Sequence, residues 1–157
     1  MRDNAGTITL SSPAGPPTTP GIIVAVVSTF AGGINNGGTI SSLGPAGFGI
    51  QVGAAGPATD AVSTFLGVIT NSGTIKATNG GALQFNGTVT SSGTVDVGSD
   101  SLSVTGSYTQ TAGTFHLAGG KVTASPALDF EGGLVDARGA INAAITNNAM
   151  LRPAPDG

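Results

Sequence analysis

The sequence holds a single histidine, His116, with an aspartate twenty residues to either side, Asp96 and Asp136. The same interval carried further back reaches Lys76, and a shorter one forward reaches Arg152. An imidazole between two carboxylates offers the residue types of general acid–base work, and a carboxylate pair is what cleavage of a glycosidic bond requires. The five charges also read without any substrate. Lys76, Asp96, His116, Asp136 and Arg152 alternate in sign, so stacked at strand spacing they make an outward structural ladder in which like charges do not meet. That ladder accounts for every sign. No catalytic residue is therefore expected, and Asp96, His116 and Asp136 form the centre of the alternative, glycan-active reading.

Residues twenty apart share a column only if each interval is one turn of a repeating structure. Val27-Ser28-Thr29-Phe30-Ala31-Gly32-Gly33-Ile34-Asn35-Asn36-Gly37-Gly38-Thr39-Ile40 returns as residues 62–75 with ten of fourteen positions identical. The shorter element then recurs as Gly73-Thr74-Ile75, Gly93-Thr94-Val95, Gly113-Thr114-Phe115 and Gly133-Leu134-Val135, with a last copy at Asn147-Asn148-Ala149-Met150-Leu151. Asn4-Ala5-Gly6-Thr7-Ile8 has the same shape, which predicts a fragment cut within a longer repeat array. The residue three past each Gly or Ala gives the column Thr9, Ser41, Lys76, Asp96, His116, Asp136 and Arg152.

A period near 20 suits one rung of a β-solenoid, with short strands separated by tight corners and paired in parallel with the next rung. Composition agrees. The chain has 27 glycines and nine prolines, and its only glutamate is Glu131, so helix-forming material is scarce. Between corners the pattern alternates, as in Thr94-Val95-Asp96-Val97 and Leu102-Ser103-Val104, which turns Val and Leu inward and polar residues outward. Corners are assigned to Asn36, Asn71, Gly38, Gly73, Gly93 and Gly113, on the ground that Gly and Asn tolerate positive φ. Residues 10–20 and 43–60 hold six of the nine prolines and read as looser stretches that lengthen the first rungs. The expected fold is all-β, a right-handed parallel β-helix of about 20 residues per rung. It is one segment over 1–157, with long irregular rungs in 1–68 and regular ones in 69–157. Phe30 and Phe65 occupy equivalent positions and read as stacked core residues, and Phe48, Phe85, Phe115, Phe130 and Tyr108 read chiefly as core.

The block at 27–40 and 62–75 resembles the passenger repeats of Gram-negative autotransporters. Gly106-Ser107-Tyr108-Thr109-Gln110-Thr111-Ala112-Gly113-Thr114 and Ile145-Thr146-Asn147-Asn148-Ala149-Met150-Leu151 are similar to rungs of autotransporter and haemagglutinin-like adhesin solenoids. The resemblance covers most of 4–152. It implies extracellular display on a bacterial cell surface and a role in adhesion, aggregation or spacing. The sequence departs from a whole autotransporter in having neither an export signal nor a C-terminal membrane barrel.

Several classes are set aside by composition. A net charge of −3 without a Lys/Arg cluster argues against nucleic acid and anionic lipid. The chain has no cysteine, which removes disulfides and thiolate metal sites. The longest apolar run, residues 21–27, is too short for a membrane-spanning helix, so no membrane insertion is expected. No cofactor is expected, and no metal. Asp129 and Glu131 would share a strand face as a second acidic spot near Asp136, yet supply too few oxygens for calcium. Asn86-Gly87-Thr88 matches a glycosylation sequon, a weak signal in an Asn/Thr-rich chain. Three readings follow. The first is a non-catalytic structural or adhesive segment that meets host or matrix glycans or proteins; the second is the glycan-active alternative. The third is a filament module associating end to end with like solenoids.

Overall fold

The structure of the chain, a computed structural model, describes residues 2–4, 7–11, 22–24, 29–30, 33–43, 50–52, 64–65, 68–78, 80, 82–85 and 87–153, with side chains from 33–41, 68–78, 80, 82–85 and 87–152. Every strand pairing among them is parallel. One sheet stacks β1 (Arg2–Asn4), β5 (Ile34–Asn36), β9 (Val68–Asn71), β12 (Thr88–Ser91), β15 (Tyr108–Gln110), β17 (Leu128–Phe130) and β19 (Ile145–Asn147) in chain order. The second stacks β2 (Thr7–Ser11), β6 (Thr39–Leu43), β10 (Thr74–Thr78), β13 (Thr94–Gly98), β16 (Thr114–Ala124), β18 (Leu134–Asn142) and β20 (Met150–Pro153). The long strands β16 and β18 run on past a corner, and there β16 also carries β14 (Ser101–Val104), which pairs with β11 (Ala82–Phe85). Each turn thus contributes one strand to each sheet, the arrangement of a parallel β-solenoid.

The first turns are the long ones. Ile34 registers with Ile69 and Arg2 with Ile34, whereas Thr74, Thr94, Thr114 and Leu134 follow one another at twenty residues. Two further small pairings lie in the long turns, β3 (Ile22–Val24) with β7 (Ile50–Val52) and β4 (Thr29–Phe30) with β8 (Thr64–Phe65). The proline-rich stretch expected to be loose therefore contains a strand of its own. Phe30 and Phe65 are register partners, though their side chains, like Phe48 and Asn86, lie outside the described residues.

Alternation does the packing. In β10, β13 and the start of β16, every second residue is buried, so Ile75, Val95, Phe115 and Val135 stack as one inward column. Phe85, Tyr108, Phe115 and Phe130 fill the interior as a cluster, with Phe115 and Phe130 edge to face at 5.2 Å between ring centroids. Of the aromatic residues expected in the core, these four are there.

Asn36 and Asn71 are the last residues of β5 and β9, directly before the corners, and both side chains are fully buried. Asn36 Nδ2 donates to Asn71 Oδ1 at 2.7 Å, and Asn71 Nδ2 donates to Ser91 Oγ and to the Thr94 carbonyl, both at 3.1 Å. The column continues into Gln110, whose Nε2 donates to the Gly93 and Ala112 carbonyls and whose Oε1 accepts from the Tyr108 hydroxyl. A buried amide survives here because it satisfies carbonyls that bend away from the ladder at the corner. Burial pushes the Tyr108 phenol far above its ordinary range, and a hydrogen bond with Ser91 opposes this only in part.

Candidate functional site

The column suggested by the twenty-residue interval is a physical one. Lys76 registers with Asp96, Asp96 with His116, His116 with Asp136, and Asp136 with Arg152. The residues on either side of Lys76, Asp96 and His116 (Ile75, Ala77, Val95, Val97, Phe115 and Leu117) are buried, and that places these charged side chains on the outer face. Upstream, Ser41 continues the column but is buried.

The charges do not form one continuous chain of contacts. His116 Nδ1 lies 2.7 Å from Asp96 Oδ1, and Arg152 Nη2 lies 3.1 Å from Asp136 Oδ2; these are the two ion pairs among the described residues. The ladder is broken between Lys76 and Asp96 and again between His116 and Asp136. Immediately beyond Asp96 the register of β13 and β16 slips at Val97, and Gly98 takes a left-handed φ of 56°.

A carboxylate accepting from Nδ1 fixes the orientation of an imidazole, which is the arrangement that prepares a histidine for proton transfer. Here that pair stands on the outer face of the second sheet, on β13 and β16. His116 and Asp96 side chains are 39% and 34% exposed. A shallow depression of about 320 Å³ lies elsewhere, over β11, β14 and the far half of β16, lined by Gln84, Ser101, Ser103, Lys121 and Thr123 among others. Among the described residues no three His, Asp or Glu side chains converge as they would around a metal ion. Asp129 and Glu131 do not form the expected spot near Asp136. Asp129 is on β17 in the first sheet, Glu131 follows the end of that strand, and Asp136 is on β18 in the second.

The outward rows beside the charges are hydroxyl-rich. Thr39, Thr74, Thr94 and Thr114 register in one row, and Thr70, Thr90 and Thr109 in another. The buried run through Ser91 and Gln110 was hidden from the sequence by a change of interval, because Ser91 registers with Gln110 at nineteen residues while Thr94 registers with Thr114 at twenty. The corner after Gln110 is one residue longer, and it is there that Gly113 adopts φ of 72°.

No family model matches the chain, and neither a curated protein nor a solved structure was found to match it. Among the described residues no helix is long and apolar enough to cross a membrane.

Proposed function

We propose that this chain is a non-catalytic structural and adhesive segment, a stiff solenoid displayed on the outside of a Gram-negative cell. The observation that carries the reading is the state of the charged column. Asp96 is engaged by His116, and Asp136 by Arg152, on the outer face of the second sheet. The alternative, glycan-active reading asks the two carboxylates to flank a substrate. Both are instead held by neighbours on their own column. What the face offers a partner is repetition: threonine hydroxyls and methyls at successive strands, suited to many weak contacts along an extended glycan or protein surface.

The test is a polysaccharide panel assayed for binding and for product release, with wild type beside Asp96→Ala/Asp136→Ala. Binding without turnover, equal in both proteins, is the expected result. Product release that vanishes in the double variant would overturn the proposal and make Asp96, His116 and Asp136 the reacting groups.

A further inference from the structure

We infer that the outer face formed by β11, β14 and the far half of β16 binds a carboxylated polysaccharide, with Lys121 pairing to its carboxylates. The inference rests on the adhesive reading and gives it a place and a ligand class. Two columns of outward side chains make the face. Ala82, Ser101, Lys121 and Ala140 register in one, and Gln84, Ser103, Thr123 and Asn142 in the other, while Leu83, Leu102 and Val122 between them are buried. Where the short side chains of Ala82, Ser101 and Ser103 adjoin Gln84 and Lys121, the surface sinks into the depression of about 320 Å³. It is shallow and spans three successive strands, which suits a chain laid along the surface better than a small molecule that must be enclosed.

Charge selects the ligand. Lys121 is the one charged residue in the two columns, it is exposed, and it is in neither of the two ion pairs among the described residues. Asp96 and Asp136 each have an ion-pair partner one turn on, whereas the register neighbours of Lys121 are Ser101 and Ala140, which bring no charge. Asp100, whose carbonyl accepts from the Lys121 amide, turns its carboxylate to the preceding turn, where Oδ1 accepts from the Gly80 amide at 2.7 Å. The remaining polar groups, the Gln84 amide and the hydroxyls of Ser101, Ser103 and Thr123, both donate and accept, as the hydroxyls of a sugar do. They repeat at the strand spacing of ~4.8 Å, close to the rise of a β-linked hexose in an extended chain. An acidic peptide fits less well, because β14 and the far half of β16 are paired on both sides and leave no ladder for an extended backbone to join.

The experiment measures binding of hyaluronan and alginate to the 157-residue chain, beside the same polymers with their carboxyls methyl-esterified. Lys121→Gln, Lys121→Arg and Ser103→Tyr are compared with Lys76→Gln, which makes the same charge change as Lys121→Gln on the second sheet. Unchanged unfolding transitions check that each variant keeps the fold, and the exposed Lys121 can be replaced without touching the interior. Wild type is expected to bind, and esterification or Lys121→Gln to weaken binding about tenfold, as the loss of a charge-assisted contact does. Lys121→Arg and Lys76→Gln should bind like wild type, while Ser103→Tyr, which fills the depression and leaves the charge alone, should bind less. A wild type that binds neither acidic polymer overturns the inference. Equal weakening by Lys76→Gln and Lys121→Gln overturns it as well, by showing attraction to the whole surface, and so does equal binding of the esterified polymers. Binding of a neutral glycan that Lys121→Gln leaves intact would sink this site and keep the adhesive reading, so the two fail separately.

Discussion

Gly93 lies so close above Gly73 that a Cβ added to it would stand 2.1 Å from the Gly73 carbonyl oxygen. The same approach is repeated at the neighbouring turns, 2.0 Å from Gly73 to the Gly38 oxygen and 2.1 Å from Gly113 to the Gly93 oxygen. The corner glycines are thus a stack of backbones in contact. At Gly73 and Gly93 crowding alone demands glycine, while Gly113 adds a left-handed φ to the same crowding.

Gly93→Ala is expected to cost more than Gly119→Ala. Gly119 has φ of 94° but nothing within 4 Å of an added Cβ, so its substitution carries backbone strain alone, about 1 to 3 kcal/mol. At Gly93 two packed turns must separate, a loss on the order of 4 kcal/mol or more. Urea midpoints at a common slope measure both, and equal midpoints would show that the corner opens easily.

Asn71→Ala removes a donor to Ser91 and Thr94 and the acceptor for Asn36, all inside the solenoid. A destabilisation of about 1 to 3 kcal/mol is expected for the groups left unmatched. Asn147→Ala, in the same column but exposed, should cost less. A loss at Asn147 as large as at Asn71 would contradict the role given to burial.

Tyr108 is the only tyrosine, so its ionisation can be followed directly. Its folded pKa is raised above the unfolded value near 10. The neutral phenol's contribution to stability is therefore complete below about pH 10 and falls as pH climbs from there toward the folded value. Tyrosinate absorbance should appear together with loss of β-sheet circular dichroism. Tyrosinate forming near its ordinary pH in a chain that stays folded would refute the assignment.

Asp136→Asn breaks the 3.1 Å contact to Arg152, whose side chain is 64% exposed. Water and salt already screen such a pair, so the change in unfolding free energy should stay within about 1 kcal/mol and shrink at high salt. Asp96→Asn, which breaks the contact to His116, should behave alike. A loss of several kcal/mol from either would mean that the column does more than decorate the outer face.

The interval between Gly-Thr pairs and the alternation of Val, Ile and Leu with Ser, Thr and Asp were enough to derive the solenoid and the column from Lys76 to Arg152. Both are periodic properties, and period is what a one-dimensional string records. Tertiary structure alone decided which members of that column touch, because His116 meets Asp96 and Arg152 meets Asp136 through side-chain directions that the interval does not encode. It also decided that Asn36 and Asn71 turn inward to satisfy corner carbonyls, and that Ser91 and Gln110 extend their column across a corner one residue longer. A single inserted residue leaves a repeat recognisable but shifts which side chains share a column, and only the folded backbone shows where that residue is absorbed.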